Sequence, residues 1–389
     1  MKDSPTPVQL LAALFARLII NTAQRMIYPF LPAFSRGLGV PLDALTLVLS
    51  VRGGLGLSAP LFSVLPDRLG RKPAMLIGLG VFSAALAALA LWPSYGVFFA
   101  ALLLITISKF IFDPSLQAYL SERIPYTRRG VVMAFMEVGW SGAFLLGIPL
   151  IGVAIAASDW RAPFLPLAGA GIVAALILWR LLPAGPNHAA TQTPTATPLL
   201  HFMLRQPAIW GALSIGLLAS IANELLNTVY GAWMEQTFQL KIASLGLTTI
   251  AIGIAELAGE GVVMGVVDRW GKRRTIALAL GMSAAANALL PFMSGSLALA
   301  LAGLFLVFIT FEVAIVSSLP LVSEMLPEAR GLMMTTNIAF HGIGRMVGAL
   351  LGGWLFALGF AWTGFTAMGL YLSAVIIVLI FVKEKVHAL

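Results

Sequence analysis

Eleven Asp, Glu, Lys and Arg side chains stand inside long apolar runs of this sequence. The bases are Arg17, Arg25, Arg52, Lys109 and Arg345; the acids are Asp113, Glu137, Glu224, Glu256, Glu260 and Glu312. A charge in an apolar medium costs about 2.5–3.5 kcal/mol on insertion scales, so residues of this kind mark pairing, proton handling or ligand binding. Helical spacing collects them with other polar groups into stripes. Arg17, Asn21, Arg25 and Tyr28 share a face; Lys109 and Asp113 are four apart, with Pro114 next. Glu137 lies one turn before Trp140 and Ser141. Asn223, Glu224, Asn227 and Tyr230 form a fourth stripe, Glu256 and Glu260 a fifth, and Asn337, His341 and Arg345 a sixth. Two acids on one face in low dielectric repel, and holding a proton relieves the repulsion. The alternative is that all these groups brace helix contacts. On that reading Lys109 and Asp113 neutralise each other locally, Arg17 snorkels to an interface, Glu260 pairs with Arg345, and Trp140 and Tyr230 only pack.

The elements that must position these residues follow from composition. Of 389 residues 59% are hydrophobic and only 10% charged, against roughly 25% charged in a soluble domain. So few charges cannot cover a water-facing surface, whereas lipid removes the need for them. With no cysteine, disulfides, thiolate metal sites and cysteine nucleophiles are excluded. The opening MKDSPTPVQLL lacks the pattern of a cleaved signal, so the first apolar run is expected to be retained as a membrane helix. The net charge of +8 lies in short loops between apolar runs, which is a topology signal and not a nucleic-acid footprint.

A spanning helix needs about 20 apolar residues. Breaks at charge and Pro/Gly clusters predict twelve spans: 8–34, 44–66, 74–92, 96–121, 130–157, 162–181, 208–234, 243–267, 275–293, 297–322, 331–358 and 361–382. Residues 183–206, rich in Pro, Thr and Ala, read as a cytoplasmic linker between two six-helix bundles, 1–182 and 207–389. Sixteen of the 24 Lys and Arg residues fall on one side of this arrangement and three on the other. Both termini and the linker are therefore expected in the cytoplasm, and the chain in the inner membrane. The third, sixth, ninth and twelfth spans hold no interior charge and are expected to face lipid.

The halves repeat. Asp67-Arg68-Leu69-Gly70-Arg71-Lys72 returns as Asp268-Arg269-Trp270-Gly271-Lys272-Arg273, 201 residues on. Ser121-Glu122, Pro125 and Arg129-Gly130 return as Ser323-Glu324, Pro327 and Arg330-Gly331. Asn21 matches Asn223 and Tyr28 matches Tyr230. Parallel repeats in a membrane chain imply two bundles related by an axis along the membrane normal. The Asp67-to-Lys72 loop, its second copy and the whole-chain pattern resemble the major facilitator superfamily. Ser63 and Met264 stand where that signature has glycine, and Lys109 is the first base of a fourth span that usually carries arginine. Gly147-Ile148-Pro149-Leu150-Ile151-Gly152 is similar to the glycine-proline motif of antiporters. The resemblance implies an all-α membrane fold of twelve transmembrane helices in two six-helix pseudo-repeat bundles around a central cavity, and a transporter, not an enzyme.

The expected cavity residues are Asn21, Arg25, Lys109, Asp113, Glu137, Trp140, Glu224, Asn227, Glu256, Glu260, Glu312, His341 and Arg345. The expected cytoplasmic gate comprises Asp67, Arg68, Gly70, Arg71, Glu122 and Arg129, matched by Asp268, Arg269, Gly271, Lys272, Glu324 and Arg330. The two aspartates carry the weight, because acids contribute little to topology; the bases are equally explained as orientation signals. Secondary active transport of a small organic solute is expected, with protons as coupling ion and a monomer as the working unit; the resemblance alone implies export as direction. No cofactor, metal or nucleic acid is expected. A uniporter or importer of a small metabolite, and a non-transporting sensor on the same scaffold, stay open.

Overall fold

The computed structural model describes residues 5–63, 65–183, 206–326 and 330–382; the side chains at 60, 63, 126, 127 and 266–268 are outside the description. Most of the expected linker, 184–205, therefore lies outside the described residues, as does the side chain of Asp268. Those described are almost wholly helical, with no strand among them. Among the described residues ten segments are long and apolar enough to cross a membrane, and the first two spans are built from shorter pieces. Together they give the twelve-helix plan.

The first span is α1 (Pro7–Arg25) and α2 (Leu31–Leu38). Thr6 caps α1 reciprocally with Gln9, satisfying two otherwise orphaned amides. Pro29 and Pro32 explain the break, since proline removes a helical donor and pushes its predecessor out of the helical region. The second span runs through α3 (Leu42–Gly54), a 3-10 turn, α4 (Ala59–Ser63) and α5 (Leu65–Leu69). Then come α6 (Arg71–Leu91), α7 (Tyr95–Arg123), α8 (Tyr126–Gly142), a π-turn at Ala143–Gly147, α9 (Ile148–Ala157) and α10 (Phe164–Leu181). The second half has α11 (Pro207–Phe238), α12 (Ile242–Trp270), α13 (Lys272–Leu289), α14 (Leu297–Glu324), α15 (Arg330–Leu358) and α16 (Phe360–Phe381). With no interior proline, α11 runs unbroken where its counterpart in the first half is split.

By their contacts the residues form two compact units. One comprises Met1–Pro41, Ser58–Gln192 and Leu240–Gly253; the other comprises Leu42–Leu57, Thr193–Gln239 and Ile254–Leu389. In the first, α6 packs between α7 and α10, and α1 lies against α7, α8 and α10. Phe34 closes one end of it, stacked on Phe164 at 5.9 Å and tilted on Phe98 at 5.5 Å. In the second, α11 packs on α15 and α16, and α13 on α14 and α16. Helix α3 belongs to this unit: Ser50 Oγ donates to the Met346 carbonyl at 3.0 Å. A Cβ at Gly56 would lie 2.8 Å from the Gly342 Cα, so glycine alone permits that crossing.

The expectation about lipid-facing spans holds in part. The sixth and twelfth are the least covered, 33% and 28% buried, but the third and ninth, at 50% and 44%, are covered as well as the fourth, at 44%. Helix α6 packs on α7 and α10, and α13 on α14 and α16. Small residues let those neighbours close in; a Cβ at Gly78 would meet the Ser108 carbonyl at 3.1 Å.

A repeat-matched device anchors the sixth and twelfth spans. Lys72 Nζ donates to the Trp179 and Leu182 carbonyls, both at 2.6 Å, at the C-terminal end of α10. Arg273 Nη2 donates to the Leu379 carbonyl of α16 at 2.5 Å. A base here meets unpaired carbonyls and the negative end of the helix dipole. Lys72→Gln and Arg273→Gln should each cost about 1 kcal/mol, read as lower thermal midpoints in detergent; unchanged midpoints would show that these contacts are idle.

Candidate functional site: two polar walls and two basic loops

In the first unit the α1 stripe faces α7 and α8. Arg17 Nη2 donates to both Glu137 oxygens, at 2.9 and 3.0 Å, and Arg17 Nε lies 3.7 Å from Asp113 Oδ1. Lys109 Nζ donates to Asp113 Oδ2 and to Asn21 Oδ1, each at 2.6 Å. Asn21 Nδ2 donates in turn to the Gly139 carbonyl at 3.0 Å. The Arg25 guanidinium is sandwiched, 4.1 Å above the Trp140 ring and 3.6 Å above the Phe144 ring. Its Nη1 donates to the Trp140 carbonyl at 3.3 Å. Aromatic faces attract such a cation electrostatically.

Both acids of this half are thus met by bases from the same half. Lys109 and Asp113 do pair within their helix. Arg17 is buried, so it does not snorkel. Arg52, read with the first half in the sequence, lies on α3 in the second unit.

The second unit holds the other four interior acids. Glu224, Glu256 and Glu312 are buried there. Glu256 and Glu260 share a face of α12, and Glu312 of α14 packs beside Gly259: a Cβ there would lie 2.8 Å from the Glu312 Cβ. Asn227 Nδ2 donates to Asn223 Oδ1 at 2.6 Å. His341 Nδ1 pairs with Ser220 Oγ at 2.6 Å. Over Gly216, where a Cβ would come within 2.8 Å of His341 Nε2 and 3.1 Å of Asn337 Oδ1, the α15 stripe settles onto α11. Arg345 is exposed and makes no ion pair among the described residues.

The repeated loops build matching corners. Gly70 and Gly271 adopt φ of +91° and +81°, a region that favours glycine, and each begins the helix that follows. Arg71 bridges Asp67 and Glu122, with Arg71 Nε 3.0 Å from Glu122 Oε1. In the second copy Lys272 Nζ reaches Glu324 Oε2 at 2.5 Å. Arg129 Nε donates to the Ile124 carbonyl at 3.0 Å; Glu122 is held by Arg71 and Glu324 by Lys272. Arg68, Arg269 and Arg330 are exposed. The sequence singled out neither Ser220 nor Gly216; the four-residue step from Gly216 to Ser220 on the α11 face was the available signal.

Comparison with known proteins decides the family. The family model described as Major Facilitator Superfamily matches residues 13–224 and again 212–389. The chain belongs to the major facilitator superfamily. It is therefore an integral membrane transporter of small molecules and not an enzyme. It is 26% identical over 362 residues to the uncharacterized MFS-type transporter YwfA of Bacillus subtilis (strain 168), covering 91% of this chain and 86% of that one. It is 24% identical to the quinolone resistance protein NorA of Staphylococcus aureus (strain MSSA476), covering 93% and 92%. Among solved structures, the human organic anion transporter MFSD10 (TETRAN) superposes with a TM-score of 0.70 at 21% identity, covering 96% of this transporter and all of that chain. That likeness shows the fold.

Proposed function

We propose that this transporter is a proton-driven exporter of a small organic solute, working as a monomer by alternating access. The observation that carries this reading is the imbalance inside the second unit. Four carboxylates, Glu224, Glu256, Glu260 and Glu312, stand in the second unit with two interior bases, Arg345 and, from α3, Arg52. A carboxylate away from water is stabilised by a base or by a proton. Conformations that differ in what they offer these acids differ in proton affinity, which couples proton movement to the cycle. Export is supported by the likeness to a quinolone resistance protein. The working arrangement is two bundles, 1–182 and 207–389, joined by a cytoplasmic linker at 183–206, with both termini in the cytoplasm and the chain in the inner membrane.

Within this reading the loop corners are gates. Opening toward the cytoplasm loosens the Asp67–Arg71–Glu122 and Lys272–Glu324 pairs. Asp67→Asn should therefore slow turnover several-fold and raise alkylation of single cysteines placed near the cytoplasmic face, with solute affinity within about twofold of the parent. A change in affinity alone would contradict the gate. The reading as a whole is tested in cells. Those expressing the parent should hold less of a fluoroquinolone than those expressing the Glu256→Gln/Glu260→Gln variant, and collapsing the proton gradient should remove the difference. Equal accumulation under a standing gradient would count against quinolone export; equal accumulation across a wider panel of organic cations and anions would sink export itself.

A further inference from the structure

In the fifth span the stretch between two glycines that face α1 is one residue longer than the matching stretch of α15 that faces α11. Gly142 faces Leu18 of α1, where a Cβ would lie 3.2 Å from Leu18 Cδ1, and Gly147 faces Thr22, whose side chain fills the place of a Cβ. In α15, Gly344 faces Ser220 and Gly348 faces Glu224, a Cβ lying 2.7 Å from the Cβ of each. Leu18 and Thr22 are four residues apart, as are Ser220 and Glu224, and the offset of 202 that relates Asn21 to Asn223 relates these pairs too. The facing glycines are five apart in the first half and four apart in the second. The additional residue is taken up by the π-turn, in which the Ile148 amide donates to the Ala143 carbonyl five residues back.

The hydrogen bonds explain what keeps the turn wide. In a regular helix the Ile148 amide would donate to the Phe144 carbonyl. In a continued π-helix that carbonyl would accept from residue 149, but Pro149 has no N–H. Thr249 Oγ1 of α12 takes it instead, at 2.9 Å. The same hydroxyl lies 2.7 Å from the Gly246 carbonyl of its own helix, so one proton is shared between two acceptors. Thr249 belongs to a face laid along this turn. A Cβ at Gly246 would lie 3.2 Å from the Gly152 Cα, and one at Gly253 2.8 Å from Leu145 Cγ. Two further donors hold the near side of the turn: Asn21 on the Gly139 carbonyl and Arg25 on the Trp140 carbonyl.

We propose that the Ala143–Gly147 turn is a two-state hinge of the fifth span, set by the Thr249 hydroxyl. While Thr249 reaches Phe144, the Ile148 amide is displaced to Ala143 and the turn is wide. When the first turns of α12 withdraw, the hydroxyl keeps only Gly246, and the Ile148 amide takes the Phe144 carbonyl. That exchange re-aims α9 against α8 and relaxes the hold of Trp140 and Phe144 on Arg25. π-turns inside α-helices recur at functional sites, and a bistable element of this kind can carry a conformational change between helices. The functional consequence rests on the alternating-access reading; the hinge itself does not.

Three variants test it: Thr249→Val, which removes the donor at equal shape; Thr249→Ser, which keeps it; and deletion of Leu146, which restores the four-residue spacing of α15. The purified full chain is followed by amide hydrogen exchange over 141–153 and by fluoroquinolone exchange in liposomes at equal pH. Thr249→Val and the deletion should slow amide exchange in 143–148 relative to the parent, and turnover should fall at least about tenfold because gating motions set such rates; Thr249→Ser should match the parent in both. Parental turnover and amide exchange in the deletion would mean an inert insertion and overturn the hinge. If the deletion does not accumulate, Thr249→Val decides alone, and amide exchange equal to that of Thr249→Ser overturns it. Slowed amide exchange in Thr249→Val and the deletion, with a parent that moves no quinolone, would uphold the hinge and count against the transport probe alone.

Discussion

Replacing Lys109 with methionine is expected to destabilise the protein by about 3 kcal/mol, and adding Asp113→Leu is expected to recover most of that loss. Asp113 is largely enclosed, with its side chain 17% exposed. One oxygen depends on Lys109 at 2.6 Å, while the other sees Arg17 only at 3.7 Å. Removing the lysine alone strands a carboxylate away from water and deprives Asn21 Oδ1 of its donor. Removing both charges leaves Arg17 with Glu137, a pair that is already complete. The asymmetry between breaking a buried pair and deleting it whole is what distinguishes a paired network from independent charges. Thermal unfolding of the two single variants and the double closes the cycle. A double variant no more stable than Lys109→Met would mean that Asp113 does not depend on Lys109.

Neutralising Glu256 and Glu260 together should abolish accumulation of solute against its gradient, a loss on the order of 100-fold in driven flux, while leaving exchange at equal pH near the parental rate. The two carboxylates are one turn apart on α12, and Glu312 packs against the glycine between them. Three acids collected in this way repel unless protons or bases meet them. A group that only braced a helix would, when neutralised, change stability and both kinds of flux together. A group that carries the proton separates driven flux from exchange. Should both fluxes survive in Glu256→Gln/Glu260→Gln, the coupling acid is not on α12, and Glu224 and Glu312 become the residues to neutralise.

The sequence made the architecture legible because two independent signals agreed. Apolar runs bounded by charge predicted twelve spans, and the repeat of Asp67–Lys72 at Asp268–Arg273 placed two of the loops. Glycine at 70 and 271 could be read as a turn, and both do carry positive φ. The stripes were legible as faces but not as partners. Arg17 and Glu137 are 120 residues apart, and nothing in helical periodicity says that one Arg17 nitrogen serves both Glu137 oxygens. The split of the first span was foreshadowed by Pro29 and Pro32, yet an apolar run reads through them because hydropathy is blind to lost donors. The π-turn was hidden for a related reason. One surplus residue among many apolar ones leaves composition unchanged and is revealed only when Gly142 and Gly147 are set against Leu18 and Thr22. The membership of α3 in the second unit had no local signal at all. It depends on Gly56 and Gly342 letting two backbones meet, a property of a pair and not of either segment.

The most direct test of the account is coupled flux in liposomes holding the purified protein, loaded with a pH-sensitive dye and given a fluoroquinolone on the side that its cytoplasmic face addresses. Imposing a proton gradient opposite to the intended solute movement should drive the quinolone across the membrane while protons move the other way, and both movements should stop when an ionophore collapses the gradient. Quinolone movement at the same rate with and without the gradient, and with no change in the dye, would contradict proton-driven export and leave facilitated diffusion as the function of this fold.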